Sequence, residues 1–308
     1  MAAVADPEQQ LAWEDRQRKA AGAAGVLAGL ASLGADLWSQ ATFRDVPRPG
    51  FLESLGQAAA EGPIGRVESV RTAFFEFYDD KAVGILGSAV VRGIGLIALA
   101  WAVTFVAVAV RARRPEFPRP VVFATLIGAA LSAISTVLGA GASAMAVGEF
   151  LDGPRTVDAA ADVAGGSLLL TAQIIGPVGQ LALAAGMFLV SLNAQRVGLL
   201  TRFLGILGMI TAFLMVFPLG PLPVVQAFWL VALGLIILGV APGGVPPAWK
   251  TGKAEPWPSQ REMADARRRQ AEARRGGRPA EEAEPEPERV AAGRQHPSSK
   301  KRKRKRRD

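Results

Sequence analysis

Cysteine is absent, and the 308 residues hold one histidine and one tyrosine. Without cysteine there are no disulfides, no thiolate catalysis and no cysteine metal sites. The one histidine, His296, stands in a polar C-terminal stretch and reads as a solvated side chain. Serines in apolar surroundings, such as Ser167 and Ser191, therefore lack an imidazole base. HExxH, GxSxG, the P-loop lysine pattern and paired intramembrane aspartates are also missing. The expectation is a chain that is not an enzyme and uses no cofactor or metal.

Charge is scarce over most of the length. The first 248 residues carry 16 Lys/Arg and 17 Asp/Glu, net −1, whereas Trp249–Asp308 carries 19 and 10, net +9. The formal +8 of the whole chain thus belongs to its C-terminal part.

What is abundant is long apolar sequence. Half of the residues are hydrophobic, and runs of about 18 or more apolar residues suit helices that cross a bilayer. After a polar, charged N-terminus (1–20), six spans are expected at about 21–38, 90–110, 121–150, 163–193, 197–219 and 224–241. The first is Ala/Gly-rich with Asp36 near its end; a signal peptide has the same layout, so cleavage there is the alternative. The second belongs to a longer run from Ala82, whose first turns are expected in the interface, with Arg92 near the headgroups. Gly176-Pro177 interrupts the fourth, and Pro242-Gly243-Gly244 ends the sixth. Membrane strands would be shorter and would alternate polar with apolar residues. Helices satisfy their own backbone in lipid, so the fold class is an all-α bundle of about six transmembrane helices with a disordered basic C-terminal tail.

The links set an orientation. Residues 111–120 carry Arg111, Arg113, Arg114 and Arg119 against Glu116, whereas 151–162 carry Arg155 against three aspartates. Arg196 and Arg202 flank the next link, and GPLP is uncharged. By the positive-inside rule both termini are cytoplasmic, in a plasma membrane. The long link 39–81 then lies outside. Within it an amphipathic segment, 64–80, is expected to place Val67, Val70, Phe74, Phe77 and Tyr78 on one helical face, anchoring, packing or lining an amphiphile site.

Three features carry the functional expectations. Gly128, Ser132, Thr136, Ala140, Ala144 and Gly148 recur every fourth residue in the third span. Such a stripe lets helices approach closely, the partner being another helix of the chain, a protein partner or a second copy; a pore-facing surface is the alternative. In the fourth span Gln173 and Gln180 lie seven apart, on nearly one face, around Pro177. Proline frees a carbonyl in the preceding turn, so these groups form either a polar site at mid-membrane or cross-bundle hydrogen bonds of a kinked structural helix. Asp36 and Arg92, both toward the outer ends of their helices, are positioned to pair, although exposure to headgroup water explains them equally well.

The segment 242–308 is expected to be a cytoplasmic, largely disordered tail, with Trp249 and Trp257 at the headgroups. It ends in Lys300, Lys301, Arg302, Lys303, Arg304, Lys305, Arg306 and Arg307. Eight consecutive cations are drawn to anionic lipid headgroups; contact with nucleic acid or the ribosome would be nonspecific.

GGVPPAWKTGKAEPWPSQREM, following Ala/Gly/Leu-rich spans, resembles the corresponding stretch of uncharacterised multi-pass membrane proteins of high-GC Gram-positive bacteria. The resemblance implies a membrane class and a bacterial plasma membrane, and no functional motif. Two functional expectations remain: a non-catalytic scaffold or accessory subunit of a membrane complex, or a small-solute or lipid transporter component using the fourth span.

Overall fold

The structure, a computed structural model, describes residues 6–59, 63–217, 219–220, 223–241, 244–257, 264–265 and 268–270. The eight-residue basic cluster, Lys300–Arg307, lies outside the described residues. Ten α-helices are described: α1 Pro7–Thr42, α2 Phe51–Ala58, α3 Thr72–Asp80, α4 Ala82–Arg113, α5 Arg119–Asp152, α6 Val157–Gly165, α7 Ser167–Arg196, α8 Arg202–Val216, α9 Val224–Leu238 and α10 Ala248–Thr251. The described residues up to Trp257 form one compact unit.

The polar N-terminus and the first apolar run are one helix rather than two segments. Asp6 caps it by accepting from the Glu8 amide at 3.1 Å, and Pro7 occupies a first-turn position where its missing N–H costs nothing. Hydropathy changes at residue 20, but nothing there breaks the backbone. The second run is likewise continuous from Ala82 to Arg113. The fourth passes through Gly176-Pro177 without a break, since the neighbouring helix supplies contacts at that turn.

Among the described residues four helices, α1, α4, α5 and α7, are long and apolar enough to cross a membrane. The expected fifth and sixth spans correspond to α8 and α9, apolar but only 15 residues each. At 1.5 Å per residue each covers about 22 Å, short of a hydrocarbon core of about 30 Å. Gly239, with φ 81°, ends α9 by donating back to Ile236 and Leu235. Four to six spans are therefore present, and the chain is a multi-pass α-helical membrane protein. Its flanks agree with lipid as solvent: Ile97, Ile127, Ile134, Ile174, Leu181 and Phe213 are all exposed.

Glycines fix how closely the helices approach. A Cβ on Gly128 of α5 would stand 2.5 Å from the Leu183 nitrogen and 2.6 Å from the Gly179 carbonyl oxygen of α7. On the other side of the bundle, a Cβ on Gly25 of α1 would come within 2.9 Å of the Gly234 Cα on α9. Any larger residue at these points would force the backbones apart.

The two ends of the bundle are finished differently. At one, Val67–Ser69 pairs with the residues before α6: the Ser69 amide donates to the Arg155 carbonyl at 2.9 Å and the Val157 amide to the Val67 carbonyl at 3.0 Å. Because this stretch is not helical, the face expected from 64–80 shifts. The buried aromatic is Phe75, whose ring meets Phe150 at 4.6 Å beside Val147 and Ala160. Phe74, Phe77 and Tyr78 are only half-buried. Burial raises the Tyr78 phenol above its ordinary pKa, opposed by a hydrogen bond with Ser143.

At the other end the chain returns to the bundle after α9. The Trp249 ring is buried, and its indole N–H donates to the Leu199 carbonyl at 2.9 Å; Trp257 donates likewise to Leu200 at 2.9 Å. Phe105 stacks on Trp249 at 5.7 Å, and Trp13 stacks on Phe105 at 5.4 Å. Trp249 thus packs inside the protein instead of resting free at the headgroups, because it has apolar neighbours and an acceptor there. Beneath it Arg113 grips Glu14 with both terminal nitrogens, at 2.5 and 3.0 Å, and donates to the Ala248 carbonyl at 2.7 Å.

Candidate functional site

Between α1, α4, α5, α7, α8 and α9 lies a cavity of about 920 Å³. That is near the upper end of small-molecule pockets, roughly 300–1,000 Å³. It runs from Ser132, Gln180 and Leu230 at mid-bundle to Leu219, Gly220 and Pro223 in the link between α8 and α9. Its walls are mixed. Leucines 96, 99, 169, 214 and 230 supply apolar surface, while Asp36, Arg92, Gln173, Gln180 and Gln226 supply polar groups.

Local structure explains why these polar groups face inward. Hydroxyls of Ser132 and Thr136 donate to their own helix, to Gly128 and Ser132 carbonyls, each at 2.8 Å. Such back-bonding satisfies a hydroxyl where no water competes. Proline at 177 has no N–H for the Gln173 carbonyl. In the same turn Ser135 donates to the Ala172 carbonyl at 2.8 Å, so α5 reinforces α7 beside the proline. The Gln180 amide donates to the Met215 carbonyl on α8. One glutamine of the pair is therefore a cross-bundle bond as well as a cavity wall, and Gln173 is exposed.

The charged groups of the cavity are Asp36 of α1 and Arg92 of α4, joined as an ion pair through Oδ1 and Nη2. Asp36 is 16% exposed and Arg92 is 42% exposed. No other group among the described residues bonds to either side chain, which leaves Asp36 Oδ2 and the Arg92 Nε and Nη1 groups free.

The residues singled out in the sequence are distributed as follows. Gln173, Pro177 and Gln180 all line the cavity, joined there by Ser132 and Thr136. Gly128 sits against α7, away from the cavity. Ala140, Ala144 and Gly148 are half-buried, and a Cβ on Gly148 would meet nothing within 4 Å. Two residues escaped sequence reasoning, one in the cavity and one outside it. Gln226 is the one amide side chain in α9, a signal visible in VVQAFW and overlooked. Arg113 stood among four arginines of one basic link, and nothing in the sequence separated it from the others.

A second hollow, about 480 Å³, is an apolar groove between α1, α4 and α5 bordered by Trp13, Trp101 and Phe105. Among the described residues no group of three or more Asp, Glu or His side chains converges as a metal site. No protein-family model, curated protein or solved structure matches the chain. The class therefore rests on the helices themselves.

Proposed function

We propose that this chain is a non-catalytic membrane protein that binds a small amphiphile in its bundle cavity, serving as the solute- or lipid-handling component of a membrane complex. One observation carries the reading: Gln173, Gln180, Gln226 and the Asp36–Arg92 pair border a single partly apolar cavity. Polar groups placed within a lipid-facing bundle are costly unless they meet one another or a ligand, and Gln173 has no bonding partner among the described residues. The scaffold reading keeps one support, the open surface beside Gly148 and Gly141 on α5, where a neighbouring helix would fit.

The test is co-purification. The chain is extracted in mild detergent, and the retained small molecules are identified by mass spectrometry. A Gln173→Leu, Gln180→Leu double variant is expected to retain several-fold less of the bound amphiphile than the original chain. Equal retention by the two, at equal thermal stability, overturns the reading.

The orientation proposed is both termini in the cytoplasm of a bacterial plasma membrane. Its support is the basic link 111–120 and the resemblance to proteins of high-GC Gram-positive bacteria. The basic cluster then faces anionic headgroups, at about 1 kcal/mol per cation near the surface. Deleting Lys300–Arg307 is expected to weaken flotation with anionic vesicles while leaving membrane insertion intact. Undiminished flotation would remove the tether.

A further inference from the structure

Resting on the cavity reading above, we propose that the ligand carries a zwitterionic head, an ammonium and an oxyanion close together, on an apolar body. The reason is charge balance at the pair. Asp36 and Arg92 already neutralise each other, so the empty cavity carries no net charge at this point. A ligand with a single charge would be attracted to one member of the pair and repelled at similar distance by the other, so the two contributions largely cancel. An uncharged head would gain only hydrogen bonds from the pair, without the attraction between opposite charges that an ionic head adds.

A zwitterion escapes both limits. Its oxyanion meets the Arg92 Nε and Nη1 groups, whose planar fork suits a carboxylate or phosphate. Its ammonium meets Asp36 Oδ2. Four charges then alternate in sign, and none is stranded. The pair is available for this because it lines the cavity and is partly exposed, with Arg92 at 42%. Below it, Leu96, Leu99, Leu214 and Leu230 receive the apolar body, and the Gln173 and Gln226 amides take any polar group between. A phospholipid-type head and a free apolar amino acid share this chemistry.

The experiment uses the full chain in a neutral detergent and measures equilibrium binding of five isotope-labelled probes. Two are zwitterions, a short-chain lysophosphatidylethanolamine and leucine. Palmitate and dodecylamine carry one charge each, and a monoacylglycerol carries none. At least one zwitterion is expected to bind tenfold or more tightly than every other probe. Binding of the lysolipid alone marks a lipid source, and binding of leucine alone marks an amino acid source; either supports the inference. Asp36→Asn and Arg92→Gln are each expected to lose at least tenfold in zwitterion affinity while eluting and melting like the original chain.

A monoacylglycerol or single-charge probe bound as tightly as the zwitterions overturns the zwitterion inference and leaves the cavity reading standing. Failure of all five probes to bind overturns both. The probe comparison on the unaltered chain needs no variant, so a misfolded substitution does not obscure the outcome.

Discussion

Helices α1 and α4 are joined by an ion pair at each end, and the two pairs are built for different tasks. Glu14 and Arg113 are 2% and 0% exposed, meet through two bonds, and have further partners. Gln10 donates to Glu14 at 2.8 Å, and Arg113 donates to the Ala109 and Ala248 carbonyls at 3.0 and 2.7 Å. The Trp249 ring covers the guanidinium at 5.6 Å. Asp36 and Arg92 meet once, at the edge of a cavity, with no other protein partner among the described residues. Burying two charges is tolerable only when nearly every donor and acceptor is used. The first pair meets that condition with Arg113 Nε alone left unpaired; the second leaves several valences on a partly exposed pair that a ligand can take.

The contrast gives its strongest consequence at Glu14. Glu14→Gln or Arg113→Gln strands one buried charge, and a loss of about 3–5 kcal/mol is expected, read as denaturant unfolding in detergent. Replacing both together by apolar residues of similar size should recover most of the loss. Single variants as stable as the original chain would place the pair in water and end the comparison. At the opposite end Asp36→Asn or Arg92→Gln is expected to cost no more than about 1 kcal/mol by the same measure, because partly exposed pairs contribute little. Equal costs at the two ends would mean that the Asp36–Arg92 pair is structural as well.

The smallest effect is spectroscopic. Tyr78 is the chain's single tyrosine, so phenolate absorbance reports it alone. Burial raises its pKa, with the Ser143 hydrogen bond opposing. A raised folded value favours the neutral phenol, so this contribution to stability is complete below the unfolded pKa and lost as pH rises through the folded one. The titration midpoint should lie above 10.0 and move down in Phe75→Ala, which loosens the ring cluster holding α3. A midpoint at or below the ordinary value would show the ring cluster around Tyr78 open to water.

Much of the candidate site was legible in advance. Gln173, Pro177 and Gln180 drew notice because glutamine is rare in apolar helices, and Asp36 and Arg92 because charge is rarer still. Gln226 offered the same signal. The Glu14–Arg113 contact was hidden, since polar residues outside an apolar run look alike until a partner is known. The return of residues 244–257 was hidden by its prolines and charges, which read locally as an exit from the membrane.

The linear sequence by itself determined that lipid is the solvent, that helices are the answer, and which few polar side chains fall inside them. These depend only on neighbours along the chain, through hydropathy, turn residues and the backbone's need for partners in hydrocarbon. The tertiary structure decided which of those side chains share one cavity and which ion pair is sealed. That depends on how each helix is rotated and how closely it approaches the next, set where Gly128 meets α7 and Gly25 meets α9. Contacts between residues about 50 to 200 positions apart decide it, and no local pattern contains them.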